Sequence, residues 1–274
     1  MLEVGTTDAA YAKIYDGTTE VRDAEWKTHL TLGDVLSDDD VRLTMGVFPA
    51  YTTSKAGSYD AEIEVELSGD DAQNYKLTAD KVAVTAIIEP KPLTATAAEG
   101  SRAYDATAEW VAPLELDGII GSDDVSGWAE FQLPGINVGE YTEATLWEEP
   151  ELTGADAGNY TLAPQDVTFV KATITKADAD KWSVNVAAQE VLMGSGLNAV
   201  VVPATGTGIG SEVVQITAMA LYSDAELQTP ATDADISGLG EDESITLYYE
   251  ATADNYEAAT GPMTVKAIAH QHEW

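Results

Sequence analysis

"LSGDDAQNYKL" (Leu67–Leu77) is written again as "LTGADAGNYTL" (Leu152–Leu162), and a thinner echo, "ATADNYEAA", spans Ala251–Ala259. The aligned tyrosines, Tyr75, Tyr160 and Tyr256, lie 85 and 96 residues apart, so the phrase returns at a domain-sized period. Leu67 closes an alternating strand, and Gly69 lets the chain turn where a Cβ would obstruct it. Asp70 and Asp71 can accept hydrogen bonds from amides that a tight turn leaves free. Asn74 tolerates a left-handed φ better than most residues. Tyr75 and Leu77 then share one face of the next strand, with Lys76 outward. The same parts recur as Asp156, Asn159 and Tyr160, and in reduced form as Asn255 and Tyr256. The logic is that of a tyrosine corner, in which a tyrosine opening a strand bonds back to the preceding crossover.

Further motifs keep step with the phrase. "KIYDGTT" (Lys13–Thr19) pairs with "RAYDATA" (Arg102–Ala108), and "SDDDVRL" (Ser37–Leu43) with "GSDDVSG" (Gly121–Gly127). The distance from Tyr-Asp to Asn-Tyr is 60 residues in the first unit, Tyr15 to Tyr75, and 56 in the second, Tyr104 to Tyr160. Only the Asn-Tyr block survives in the third. "IIEPKPLTA" (Ile87–Ala95) and "TITKADADKW" (Thr173–Trp182) join the units, and Pro90 and Pro92 stiffen the first join by fixing φ. The expected domains are therefore 1–90, 91–176 and 177–274.

Within the units the hydrophobic period is two. "AEIEVEL" (Ala61–Leu67) sets Ile63, Val65 and Leu67 against Glu62, Glu64 and Glu66, and "SITLYYEA" (Ser244–Ala251) sets Ile245, Leu247 and Tyr249 on one face. "KVAVTAII", "VTFVKATI", "WSVNVAA" and "MTVKAIA" also read as strands. "SEVVQITAMALYSDAEL" (Ser211–Leu227) comes nearest to a helical stripe, but its apolar residues also alternate, which favours strand. Short strands separated by Gly, Asp, Asn, Ser and Pro point to an all-β chain of tandem Ig-like or Greek-key β-sandwich modules in an elongated array.

Composition narrows the partners. There are 48 acidic and 13 basic residues, a formal charge of −35, which repels nucleic-acid phosphates and anionic membrane surfaces. Cysteine is absent, which removes disulfides and thiol chemistry. No apolar run approaches the about 18 residues a membrane helix needs. Neither end carries a visible signal or anchor, and both ends read as cuts in a longer protein.

Each candidate for chemistry competes with a structural role. Asp38, Asp39 and Asp40 are the densest candidate calcium ligands, but neither an EF-hand loop nor a glycine-aspartate nonapeptide array accompanies them, so turn chemistry is favoured and no cofactor is expected. The histidines are His29, His270 and His272; the last two could form half of a zinc site but read better as a linker pair. No G-x-S-x-G elbow is present, and "GTGIGS" (Gly206–Ser211) lacks a phosphate-loop lysine and reads as a loop. Of the six tryptophans, Trp26 and Trp110 stand similarly after their Tyr-Asp blocks and suggest a repeated core position. Trp128 and Trp147 have no such equivalents and are the candidate glycan contacts.

The paired motifs, Tyr15-Asp16-Gly17 with Asp71-Ala72-x-Asn74-Tyr75 and Tyr104-Asp105-Ala106 with Asp156-Ala157-x-Asn159-Tyr160, resemble the YDG-type repeats of large bacterial surface proteins and adhesins over about residues 10–176. Ala106 stands where the pattern has glycine, so a different turn is expected there. The third unit is similar only to a generic bacterial immunoglobulin-like module. The resemblance implies tandem β-rich modules in an extracellular stalk at the bacterial surface or cell wall, with no catalytic or cofactor-binding residue. The expected role is a non-catalytic spacer whose partners are the neighbouring modules of the same longer chain. The alternative is a module that binds host or dietary glycan or protein through exposed tryptophans of the second or third unit.

Overall fold

The computed structural model describes residues 1–6, 11–20, 30–45 and 51–269. Strands make up 46% of it, and the α-helix among the described residues is the five-residue Asp233–Ser237, so the chain is all-β as expected. It forms two compact units. One contains Met1–Ala98, Val111–Glu130 and Leu146–Phe169; the other contains Glu99–Trp110, Phe131–Thr145 and Val170–Trp274. The second repeat thus contributes strands to both.

In the first unit, a four-stranded sheet runs in the order Tyr11–Ile14, Lys81–Glu89, Gly57–Ser68, Arg42–Met45. A two-stranded ribbon pairs Val4–Thr6 with Leu30–Leu32. Tyr11, Ile63, Val65 and Val82 from the sheet and Leu30 from the ribbon form one buried cluster, joined by Val4, Leu43, Leu77 and Val84, so the core lies between two β layers. Each fully buried aliphatic side chain there contributes about 2 kcal/mol. The alternation in Ala61–Leu67 is borne out: Ile63 and Val65 are buried, and Glu62, Glu64 and Glu66 are exposed. The same unit holds a second sheet, in which Thr94–Ala97 pairs with Leu114–Asp117 and, in parallel, with Val167–Thr168, while Ser126–Trp128 pairs with Glu151–Thr153.

In the second unit, Ala172–Thr175 lies between Gly139–Tyr141 and Gly100–Ala103. A four-stranded sheet comes next along the chain, in the order Gln189–Leu192, Ala259–Ile268, Ser244–Thr252, Ala218–Tyr222. Its core gathers Val191, Val200, Leu247, Met263 and Val265, and Ile236 enters from the short helix. That helix begins where Asp235 accepts hydrogen bonds from the Thr232 amide and hydroxyl, at 2.7 and 2.8 Å. The Ser211–Leu227 segment is strand where alternation favoured it, at Val213–Gln215 and Ala218–Tyr222.

Two strand expectations need correction. Trp182–Ala188 is not a strand: only Ser183 forms a bridge, to Thr207, and the segment is held by Trp182, whose indole N–H donates to the Glu257 carbonyl at 2.9 Å. "VTFVKATI" is two strands, Val167–Thr168 and Ala172–Thr175, with an irregular break between them.

One piece of topology occurs three times. A short strand lies parallel to a strand later in the chain: Tyr11–Ile14 with Ala86–Glu89, Gly100–Ala103 with Ala172–Thr175, and Gln189–Leu192 with Val265–Ile268. The next residue extends each ladder by one bond: the amides of Tyr15, Tyr104 and Met193 donate to Glu89, Thr175 and Ile268. This register makes Met193 the third counterpart of Tyr15 and Tyr104, an equivalence with no trace in the sequence motif.

Candidate functional site

The repeated phrase folds as a corner, and two of its three copies hold a second tyrosine. Gly69 has φ +112 and Gly154 φ +117, and a Cβ on either would lie 2.1 or 2.2 Å from the carbonyl oxygen of Asp40 or Asp124. Glycine is therefore required twice over, by conformation and by close approach. The Asp71 carboxylate accepts from the Asp40 amide at 2.9 Å and Asp156 from the Asp124 amide at 3.1 Å, which locks each turn to the "DDV" crossover. Asp70 is exposed, and the second repeat has Ala155 in its place. The asparagines do not adopt a left-handed φ; Asn74 and Asn159 end one-turn 3-10 helices, Ala72–Asn74 and Ala157–Asn159.

Each corner tyrosine hydroxyl accepts one backbone N–H and donates to one carboxylate. Tyr160 accepts from the Ile120 amide at 2.9 Å and donates to Asp123 at 2.5 Å. Tyr256 accepts from the Ile209 amide at 3.0 Å and donates to Glu212. Tyr75 accepts from the Leu36 amide at 3.2 Å and donates to Asp39 at 2.5 Å. Each hydroxyl thus bonds back to a backbone amide of the segment that precedes it.

The Tyr-Asp motifs supply the second tyrosine. Tyr15 donates to Asp123 at 2.7 Å, its ring edge-on to Tyr160 with centroids 5.4 Å apart and planes at 74°. Tyr104 donates to Glu212 at 2.8 Å, with centroids 5.4 Å from Tyr256 and planes at 76°. A carboxylate shared by two phenols is a charge-assisted arrangement, and edge-to-face rings add about 0.5–1.5 kcal/mol beyond area burial. Burial first, and then the adjacent Asp123, pushes the phenols of Tyr15 and Tyr160 above the ordinary tyrosine value; burial and Glu212 do the same for Tyr104 and Tyr256. Tyr75 is raised chiefly by its bond to Asp39.

The residues on either side of each Tyr-Asp account for its spelling. Asp16 accepts from the Thr18 amide and hydroxyl at 2.9 and 2.8 Å and from Lys13 at 2.8 Å; Asp105 accepts from the Thr107 amide and hydroxyl at 2.9 and 2.8 Å and pairs with Arg102. Burial pushes the Asp16 carboxyl up, but the Lys13 and Thr18 bonds outweigh it and hold the group at about 2. Gly17 has φ +76 and Ala106 φ +63, so the turn expected to differ is the same turn, with alanine in the left-handed region. A second contact accompanies each tyrosine. The side-chain oxygen of Asn159 accepts from the Ala56 amide at 2.9 Å, and that of Asn255 from the Val138 amide at 3.0 Å. Tyr59 and Tyr141 brace these turns by donating to the Lys55 and Asn137 carbonyls.

The other candidates have plainer settings. Asp39 is taken by Tyr75 and Asp40 pairs with Arg42 at 3.0 Å, so Asp38–Asp40 do not converge as calcium ligands; no metal-holding group of three or more acids or histidines occurs among the described residues. Trp110 is a core residue at 6% exposure, with the Arg102 guanidinium 5.9 Å from its ring centre. Trp128 is half-buried, on the opposite face of its strand from buried Gly127, Ala129 and Phe131. Trp147 is 64% exposed, and its amide donates to the carbonyl of Glu130, two residues along from Trp128. Trp26, His29, His270, His272 and Trp274 lie outside the described residues. Sequence reasoning missed Asp123, Glu212 and the two Tyr-Asp tyrosines as members of the site. The matched "DDV" blocks signalled the first, but nothing in "GTGIGSE" signalled Glu212.

The family model of the YDG domain matches residues 2–83 and 89–168. No curated protein matches the sequence. Among solved structures, Drosophila N-cadherin EC1-4 is similar at 10% identity over 98% of this chain and 75% of that one, with a TM-score of 0.33. Mouse cadherin-23 EC22-24 is similar at 12% identity over 98% and 99%, with a TM-score of 0.25. A Bacteroides ovatus SGBP-B in complex with a mixed-linkage heptasaccharide is similar at 17% identity over 97% and 68%, with a TM-score of 0.15. Likenesses this weak carry no argument about function.

Proposed function

This chain belongs to the YDG domain family, and on that premise we propose that it is a non-catalytic spacer in a bacterial surface protein, lying outside the cell and holding other domains at a distance. The observation that carries this is the repeated tyrosine–carboxylate–tyrosine clasp, in which Tyr15 is seated against Tyr160 and Tyr104 against Tyr256. A residue family-typed to one repeat spends its side chain on the next, which suits units meant to be used in series rather than alone. The raised phenols of Tyr15, Tyr104, Tyr160 and Tyr256 serve the clasps, and the lowered carboxyls of Asp16 and Asp105 serve the Tyr-Asp turns. The absence of cysteine and the charge of −35 suit a solvated exterior that repels its copies within about 8 Å at physiological salt.

A glycan- or protein-binding role is the second reading, favoured by one observation, the 64% exposure of Trp147 close to half-buried Trp128. Arrays of glycans and extracellular matrix proteins separate the two. A spacer gives no reproducible binding, whereas binding abolished by Trp147→Ala selects the second reading. Small-angle scattering of the whole chain tests the spacer itself: an extended distance distribution is expected, and a compact one defeats it.

A further inference from the structure

We propose that the first corner, built by Tyr75, Asp39, the Leu36 amide and Asn74, is a docking socket for the Tyr-Asp turn of another YDG repeat joined ahead of Leu2. Three corners share one construction. Each has a tyrosine hydroxyl between a backbone N–H and a carboxylate, with an asparagine beside it. In the second and third, the carboxylate takes a second phenol and the asparagine oxygen takes a second backbone amide. In the first, no described residue supplies either. The covering differs accordingly. Tyr160 and Tyr256 are 5% and 1% exposed, and Asn159 is 4% exposed. Tyr75 is only half-buried, Asn74 is exposed, and Leu36 is 69% exposed, whereas its counterparts Ile120 and Ile209 are half-buried.

The two filled examples define the occupant. It brings a phenol with an edge-on ring, carried on a turn whose aspartate is bonded to a threonine two residues on, together with a backbone N–H from a neighbouring turn. This chain cannot offer a spare one: Tyr15 and Tyr104 are engaged, and the third counterpart is Met193, which has no hydroxyl. A second copy of the chain is therefore a poorer occupant than a further repeat. The approach route is also present. The Leu93 amide, just past the join, donates to Thr161 beside Tyr160, and the Leu2 amide donates to Lys76 beside Tyr75 in the same way. The proposal rests on the spacer reading only in taking the repeats to be used in series. It can fail while extended scattering and silent arrays leave that reading standing.

The test is amide hydrogen exchange at Leu36 in the whole chain and in a chain extended by a copy of residues 1–92 joined to Leu2. In the unextended chain, Leu36 is expected to exchange at least about tenfold faster than Ile120 and Ile209, because its bond is open to solvent. Extension should slow it about tenfold or more, and Tyr15→Phe in the added copy should restore much of the loss while the added strands stay protected. Equal protection of the three amides in the unextended chain overturns the proposal. So does an extended chain in which Leu36 is unchanged, or is slowed regardless of the added tyrosine.

Discussion

The corner at Tyr75 and the corner at Tyr160 are spelled almost alike but differ in environment. Both have the glycine with positive φ, the aspartate locking the turn, and the hydroxyl between amide and carboxylate. At Tyr160 a second phenol is present and both rings are buried; at Tyr75 no described residue supplies one, the ring is half-buried and Asn74 is exposed. The phrase therefore has two separable jobs. Turning the chain needs Gly69 or Gly154 and Asp71 or Asp156. Receiving a neighbour needs the tyrosine, the carboxylate and the asparagine, and it contributes stability only where a neighbour is seated, since a hydrogen bond in water returns little.

The comparison breaks most visibly at the carboxylates. Asp123→Ala strands two buried phenols without an acceptor, and about 3 kcal/mol of stability should be lost. Asp39→Ala removes the acceptor of one half-buried phenol that water can serve, and should cost under about 1 kcal/mol. Urea denaturation of the two variants measures the contrast, and equal losses would mean that occupancy does not set the value of the corner. Tyr15→Phe keeps the edge-to-face ring and removes one charge-assisted bond, so about 1–2 kcal/mol is expected. A double-mutant cycle with Asp123→Ala should show strong coupling, because the phenol's bond exists only with that carboxylate.

How far this was legible depends on the range of each signal. Period-two alternation told the faces of Ala61–Leu67 correctly, because burial of Ile63 and Val65 is a local consequence of the pleat. Glycine and aspartate announced the turn, because their demands act within a few residues. Tyr15 and Asp123 are 108 residues apart, and Tyr104 and Glu212 likewise, so neither pairing leaves a local mark. The third carboxylate was hidden further by a change from Asp to Glu, and Met193 could be matched to Tyr15 only through strand register. Trp182–Ala188 misled because alternation is necessary for a half-buried strand but not sufficient; there the buried indole anchors the chain instead of a ladder.

Alkali sharpens the same contrast with a smaller effect near neutrality. Phenols whose folded-state titration is raised contribute stability that is fully present below the unfolded value of about 10 and lost as pH rises beyond it, since only the unfolded chain then sheds the proton. Tyr15, Tyr160, Tyr104 and Tyr256 are all raised, so melting temperature should hold steady to about pH 10 and then fall. Tyr15→Phe together with Tyr104→Phe should flatten that fall. At the acid end the sign reverses: Asp16, held at about 2, contributes stability above its unfolded value that is lost as pH drops toward 2.

The smallest expected effect isolates the turn from the clasp. Ala106 sits at φ +63 where the first repeat has Gly17 at +76, and both turns carry the same aspartate–threonine bonds. An alanine in the left-handed region is strained by about 1 kcal/mol or somewhat more, while glycine adds disorder to the unfolded chain worth about 0.4–1 kcal/mol. Ala106→Gly should therefore stabilise by a few tenths of a kcal/mol, and Gly17→Ala should destabilise by a similar amount plus the crowding of its Cβ at 3.1 Å from Ile120. That last contact makes the pair unequal, because the inserted methyl meets a residue whose amide belongs to the Tyr160 corner. If Gly17→Ala slows nothing and loosens nothing at the Ile120 amide in hydrogen exchange, the Tyr-Asp turn and the corner it enters are energetically separate, and the clasp acts through its phenols alone.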